Sequence, residues 1–363
     1  MKLNLMCPIN TLGYGYTGLN ILKSLHANGI EVSLFTIGQP QVYTNEDAEI
    51  VKSCLSNAQM FDKNAPCIKI WHQNDMAQFV GKGQHIGFPI FELDKFNKLE
   101  LHHLDSCDRL FVCSEWAKEI VKSNFTEYHK IYYNVDVVPL GVDTNIFKPS
   151  NLSGGKDTIF FNCGKWEVRK GHPELIQAFI KAFSPDDNVQ LWLMCDNPFN
   201  SDEENLKWYS LFNTTKHYEN GLIKLIQRVA THNQVYSIMS QTDCGVFPSR
   251  AEGWNLEALE MLACGKNIII TEHSAHTEFC NKNNSHLIPI KEKELAFDDK
   301  WFFGQGSWAK LDNDQMDAII ENMQLIHKKK QNNELTVNNS GIETANLFSW
   351  DNTSKRIIEC LKR

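Results

Sequence analysis

Short apolar runs alternate along the chain with longer stretches whose apolar residues recur every three or four positions. This order predicts strands joined by helices, and therefore parallel sheets covered on both faces. Residues 3–9 read as the first strand. A glycine-rich turn follows, then a helix around residues 19–27 with Gly29 as its stop, then a second strand near 31–37. Further strands are expected at 67–71, 84–89, 109–113 and 135–139. Residues 147–156 have linker composition, with Lys-Pro-Ser-Asn-Leu-Ser-Gly-Gly-Lys at their centre. A second series then begins, with strands at 158–162, 190–195, 244–247 and 267–271, and the chain is helical from about Gly341. The expected domains are 1–150, 151–340 and a terminal helical segment, 341–363.

Length and composition agree with two cores. The chain has 363 residues, of which 42% are apolar and 22% charged, and domains usually hold roughly 100–200 residues. Eleven scattered cysteines form no Cys-x-x-Cys pair, so reduced thiols are expected rather than a disulfide framework or a zinc site. No secretory leader pattern is visible and no apolar run approaches the roughly 18–20 residues that span a bilayer. A cytoplasmic location is expected, with peripheral membrane contact at Lys328–Lys330 as the alternative to a solvated helix end. The net charge of −8 argues against whole-surface attraction to nucleic acid.

The most informative stretch is 248–265. Residues 248–253 read as a loop, 254–264 as a helix, and Gly265 suits the left-handed position that ends it. At about 100° per residue with Leu256 at zero, Leu259, Leu262 and Ala263 fall between about 240° and 340°, and Glu260 near 40°. Glu260 thus borders the apolar face, where a carboxylate is costly without a hydrogen-bonding partner. Ligand hydroxyls would serve, and so would an arginine. Glu252 lies in the loop at the carboxyl end of a strand, where parallel sheets bind ligands, and the helix start offers N–H groups suited to phosphate. A nucleoside-diphosphate sugar presents hydroxyls, a diphosphate and more hydroxyls in that order.

Pro248-Ser-Arg-Ala-Glu252-Gly-Trp-Asn-Leu-Glu-Ala-Leu-Glu260-Met-Leu-Ala-Cys-Gly265 resembles the Glu-x7-Glu signature of retaining GT-B glycosyltransferases, the family 4 or group 1 type. The resemblance implies that Glu252 contacts the transferred sugar and Glu260 the ribose. Backbone N–H groups around Gly253, Trp254, Asn255 and Leu256 would hold the diphosphate. Trp254 and Asn255 depart from the smaller or glycine-rich residues more usual there.

After the strand at 158–162 comes Cys163-Gly-Lys165-Trp-Glu-Val-Arg169-Lys170-Gly171, then a helix with Pro173 in its first turn and an apolar stripe at Leu175, Ile176, Phe179, Ile180 and Phe183. Three cations at a strand's carboxyl end could stabilise a leaving diphosphate, or could be a solvated loop. The segment is similar to the family's Gly-Arg-x-Lys-Gly loop. This implies donor-phosphate roles for Lys165 and Lys170, with Arg169 beside them. Lysine at the arginine position keeps charge and loses the bidentate fork.

Gly13-Tyr-Gly15-Tyr-Thr-Gly18 matches the dinucleotide fingerprint Gly-x-Gly-x-x-Gly, which favours a nicotinamide oxidoreductase. That reading also needs an acid at the end of the second strand, where Thr36-Ile37-Gly38-Gln39 stands. The resemblance instead puts Gly15 near donor phosphate and acceptor. It also makes His72, after the strand at 67–71, and Glu92, after the strand at 84–89, candidates near the reacting sugar; for His72 a structural role competes. Ser274-Ala-His-Thr-Glu278 resembles the loop that closes on the donor. Asp312-Asn-Asp314 imitates a metal-binding Asp-x-Asp, but it precedes a helical pattern and reads as a cap.

The implied fold is α/β, GT-B: two Rossmann-like doubly wound domains facing an interdomain cleft, with the C-terminal helix crossing back to the first. The implied activity is retaining transfer of a hexosyl or pentosyl group from a UDP- or GDP-sugar to a hydroxyl of a glycan or lipid-linked acceptor, without metal or other cofactor. The rivals are transfer to modified bases of phage DNA, a GT-B epimerase or phosphorylase, and an inactive carbohydrate-binding relative. The sequence leaves donor sugar, acceptor and oligomeric state open.

Overall fold

The computed structural model describes residues 1–127 and 134–363. The first series is β1 (Lys2–Cys7), α1 (Gly13–Ala27), β2 (Glu31–Thr36), α2 (Asn45–Asn57), β3 (Cys67–Trp71), β4 (His85–Pro89), α3 (Lys98–Asp105), β5 (Arg109–Val112), α4 (Glu115–Glu127) and β6 (Val135–Val137). The second is β7 (Thr158–Gly164), α5 (His172–Ala182), β8 (Val189–Cys195), α6 (Asp202–Tyr209), α7 (Lys216–Glu219), β9 (Ile223–Leu225), α8 (His232–Met239), β10 (Cys244–Phe247), α9 (Leu256–Ala263), β11 (Asn267–Thr271), α10 (His276–Phe279), β12 (His286–Ile288), the hairpin β13 (Lys293–Phe297) and β14 (Phe303–Ala309), α11 (Asn313–Gln331) and α12 (Asn339–Leu347). Helix α13 (Trp350–Leu361) ends the chain.

Two compact units result: Met1–Val142 with Leu347–Arg363, and Asp143–Asn346. The division falls before the expected linker at 147–156, and residues 341–346 belong to the second unit rather than to the terminal segment. Each unit holds a six-stranded sheet, ordered β2-β1-β3-β4-β5-β6 in the first and β12-β11-β10-β7-β8-β9 in the second. Every pairing within these two sheets is parallel. Central strands are buried on both faces, as crossover helices require: all four residues of β10 are buried.

The glycine run is helix, not turn. Helix α1 begins at Gly13, because Gly15 and Gly18 let its first turns press onto the chain leaving β1. A Cβ on Gly15 would lie 2.2 Å from Asn10 Oδ1, and one on Gly18 2.5 Å from the Pro8 carbonyl oxygen. No substitution fits there without moving backbone.

Helix α13 closes the first unit. Ser24 Oγ donates to the Trp350 carbonyl at 2.9 Å and lies 2.8 Å from Ser354 Oγ. Gly141 meets the same helix start; a Cβ there would stand 2.2 Å from Trp350 N. In the second unit, α5 and α11 cover one sheet face with Leu175, Phe179, Ile319, Met323 and Ile326. The Asp312 side chain accepts from Asp314 N at 3.1 Å and caps α11, as expected. Lys330, expected in solvent, instead reaches buried Asp243 at 2.7 Å. The short strands β9 and β12 and the β13–β14 hairpin were not expected: the first two have three residues each, below the length at which periodicity registers.

Candidate active site

Strand β10 delivers the chain to Pro248, and α9 starts eight residues later at Leu256. Between them Glu252 is buried at 5% exposure. Its Oε2 lies 2.8 Å from Arg169 Nη1 and its Oε1 3.1 Å from Lys170 Nζ. Ser249 Oγ donates to Oε1 at 2.9 Å. Burial by itself would raise this carboxyl's pKa; the Arg169 and Lys170 charges outweigh it and hold the group well below the usual carboxylate range.

The two loops that meet here are joined through backbone. Arg250 N donates to the Arg169 carbonyl at 2.7 Å. Gly171, at φ +69°, passes so close to Pro248 that a Cβ would fall 2.1 Å from its carbonyl oxygen. The same glycine precedes α5, which carries Pro173 in its first turn.

The three cations of the basic loop separate in role. Lys170 is buried, with Glu252 at 3.1 Å and Glu257 at 3.9 Å. Burial disfavours its charge, but Glu252 and Glu257 more than offset this and push its pKa up. Gly164 makes room for it: φ is +145°, and a Cβ would stand 3.1 Å from the lysine stem. Lys165 is more open, 2.9 Å from Glu167 and with its ammonium over the Phe199 ring. Arg169 differs from expectation. Its guanidinium is buried and donates to the Ala251 carbonyl and Glu167, both at 2.7 Å, besides Glu252. Its observed contacts make it a strut for Glu252.

Helix α9 is shorter than expected, because Asn255 takes a left-handed conformation, φ +86° and ψ +77°, and caps it. Asn255 Oδ1 accepts from Ala258 N at 3.1 Å. Its Nδ2 lies 2.9 Å from His276 Nε2, and His276 Nδ1 lies 3.0 Å from the Thr271 carbonyl. Burial pulls the His276 pKa down to about 4, so the ring is neutral. Ser274 Oγ accepts from Glu252 N at 2.9 Å, and Ala275 N donates to the Glu252 carbonyl at 3.2 Å. Residues 274–276 therefore brace Glu252 and Asn255 from the β11 side. The Trp254 indole is buried and packs on Phe279, ring centroids 5.1 Å apart; the first turn of α9 presents the backbone N–H donors and positive dipole end of a helix start.

Glu260 sits where the helix wheel puts it, at 4% exposure. Burial, then the charge of Glu257, raises its pKa well above the carboxylate value. His232 Nδ1, at the start of α8, approaches its Oε1 at 3.8 Å.

In the first unit, the structure gathers Gly15, His72 and Glu92 around a residue that sequence reasoning missed. Tyr14, in the first turn of α1, packs its ring at a tilt against His72 and Trp71, centroids 4.6 and 5.5 Å away, and donates its hydroxyl to the Ile90 carbonyl at 2.5 Å. Burial, then the Glu92 charge, raises its pKa. His72 is exposed and Glu92 half-buried. Also missed were Glu167, Glu257 and His276. Glu257 was visible as an acid in the first turn of the helix; the partners of Glu167 and His276 lie in other loops.

Residues 157–300 match the family described as glycosyl transferases group 1. A search of curated proteins by sequence finds no match. Solved structures are similar over nearly whole chains. Sucrose-phosphate synthase from Thermosynechococcus elongatus is 15% identical with a TM-score of 0.68, covering 100% of this chain and 98% of its own. A glycosyltransferase from Rickettsia africae is 12% identical with a TM-score of 0.71, covering 99% and 97%. The Anabaena HepE protein in complex with UDP-glucose is 16% identical with a TM-score of 0.67, covering 100% and 99%. At such identities the likeness shows the fold, GT-B, and the family match lies within the second unit. Residues 157–300 therefore match the group 1 glycosyltransferases, within a chain of GT-B fold.

Proposed function

We propose that the second unit binds a nucleoside-diphosphate sugar and that the enzyme transfers the sugar with retention to a hydroxyl of a glycan or lipid-linked acceptor. The observation that carries this reading is the pairing of buried Glu252 with Lys170 at 3.1 Å, beside the start of α9. Lys170 and the first-turn N–H groups of α9 would meet the diphosphate, with Lys165 adding charge at the rim. Glu252, ionised and held by Arg169, would accept from hydroxyls of the transferred sugar. Burial favours the neutral form of the Glu260 carboxyl, and a neutral carboxyl can both donate to and accept from ribose hydroxyls.

The bond from the anomeric carbon to the phosphate oxygen breaks, and the acceptor oxygen forms its bond on the same face. The acceptor proton passes to a phosphate oxygen of the leaving group. Lysine and N–H donors stabilise the charge that gathers on that group, the electrostatic contribution that is largest in many enzymes. The UDP-glucose complex of HepE, a protein of the same fold, supports a uridine sugar nucleotide as donor, with a guanosine sugar nucleotide as the alternative. His72, Glu92 and Tyr14 are the first unit's candidates for handling the acceptor.

All eleven cysteines are free thiols and ten are buried, which supports a reducing, cytoplasmic setting. Among the described residues, no helix is long and apolar enough to cross a membrane. The reading is tested by thermal shift with UDP- and GDP-sugars, followed by donor hydrolysis and retention of configuration by NMR. Glu252→Ala with near-native transfer and donor affinity would sink the assignment of Glu252.

A further inference from the structure

Glu257 places a carboxylate where the proposed site needs to attract anions. It is the second residue of α9, its side chain 27% exposed, with Oε1 3.9 Å from Lys170 Nζ. Its charge also acts on Glu260 and Cys163, so it faces the space bounded by Lys170 of the basic loop, Cys163 at the end of β7 and Glu260 of its own helix. An acid in a first turn stabilises an isolated helix, yet here it competes with phosphate for both the helix dipole and the buried Lys170. Lys170 already has Glu252 at 3.1 Å, so charge balance at the lysine does not require a second carboxylate.

We infer that Glu257 is a specificity-determining residue that makes the site discriminate against the nucleoside diphosphate product relative to the nucleotide sugar. This rests on the donor site proposed above. In the sugar nucleotide the terminal phosphate is esterified and carries one negative charge. When the glycosyl–oxygen bond breaks, that oxygen keeps the electron pair; once the proton taken from the acceptor dissociates to solvent, the terminal phosphate approaches two charges near neutral pH. A fixed carboxylate beside it repels the product more than the donor, and the product leaves faster.

The test compares Glu257→Gln with the native enzyme by calorimetric titration of UDP, GDP, UDP-glucose and GDP-mannose, with and without Mg²⁺. The expected result is diphosphate bound about tenfold tighter by Glu257→Gln and the matching nucleotide sugar changed less than about threefold, with stronger product inhibition in turnover. Glu257→Thr provides a second neutral variant should Glu257→Gln fold poorly. Equal shifts for both ligands, or weaker diphosphate binding, would overturn the inference. So would a Mg²⁺ enhancement of diphosphate binding that Glu257→Gln abolishes, since Glu257 would then recruit a cation. Lys170→Gln separates the two levels: unchanged binding of every nucleotide there refutes the donor site itself, whereas impaired binding beside equal shifts in Glu257→Gln refutes the role of Glu257 alone.

Discussion

Asn255 and His276 form a two-residue latch: the Asn255 amide nitrogen is 2.9 Å from His276 Nε2, and the amide oxygen accepts from Ala258 N at 3.1 Å. With the amide so oriented, Nε2 must accept, and the Nδ1 proton goes to the Thr271 carbonyl 3.0 Å away. The latch holds a left-handed, non-glycine residue at the start of α9. His276→Ala leaves a buried amide without its acceptor and should cost about 1–3 kcal/mol of stability, read by urea unfolding. Donor KM should rise more than kcat falls, because the loop is displaced and the reacting groups remain. Asn255→Gly keeps the backbone conformation and should cost less than Asn255→Ala, which loses the cap and strains φ.

Lys170 should not tolerate arginine. Gly164 approaches its stem to within what would be 3.1 Å of a Cβ, and Glu252 fixes its ammonium. A planar guanidinium has no space to turn there. Lys170→Arg and Gly164→Ala should both lower kcat/KM by about a hundredfold or more, close to 2.7 kcal/mol. Lys165→Arg, at the open rim, should stay within about threefold. Steady-state kinetics on the three variants decides this; parity of Lys170→Arg with the native enzyme would refute the steric argument.

Burial of Glu260 opposes its ionisation. Its folded pKa lies above the unfolded value of about 4.3. As pH rises past about 4.3 the unfolded chain releases a proton that the folded chain keeps, so stability falls with rising pH through that window. Glu260→Gln removes the penalty and should be more stable than native at pH 7 and equal to it near pH 4, while binding donor less tightly. Glu252 and His276 act oppositely. Both have depressed folded pKa values, so their contributions exist above the unfolded values, about 4.3 and 6.5, and are lost on acidification. His276→Gln should flatten the stability loss between about pH 6.5 and 4. Urea denaturation across pH 4 to 8 measures both slopes.

The strands and the Glu-x7-Glu helix were legible because both follow from local periodicity. Strands β3, β10 and β11 fall at the expected residues, each a short apolar run bounded by breakers. The buried position of Glu260 followed from 100° per residue alone. What was not legible depends on residues far apart in sequence. Arg169 looks like a phosphate ligand in a basic loop; only the fold shows its guanidinium turned onto Ala251, 82 positions away. Likewise Gly15 and Gly18 read as a turn because glycine is a breaker, whereas the close approach of Asn10 and Pro8 makes them a condition for helix packing. Tyr14 gave no signal, since its partners at 71, 72 and 90 come from two later strands.

Asp243 and Lys330 offer a control in which stability changes and catalysis does not. Asp243 is fully buried just before β10. Its carboxylate accepts from Ile159 N at 2.9 Å, from Ser153 N at 2.8 Å, from Ser153 Oγ at 2.7 Å and from Lys330 Nζ at 2.7 Å. The network ties the chain entering β7 to the last turn of α11 and contains none of the proposed donor groups. Lys330→Met strands a buried carboxylate and should cost about 3–5 kcal/mol, the usual penalty for breaking a buried pair from one side. Asp243→Asn keeps one side-chain oxygen to accept from the N–H donors and should cost less. Both variants, assayed well below their melting temperatures, should keep donor KM and kcat within about twofold of native. A large kinetic defect in Lys330→Met at a temperature where it is fully folded would show that the β7 and α11 ends are coupled to the donor loops, and that this pair does more than hold the second unit together.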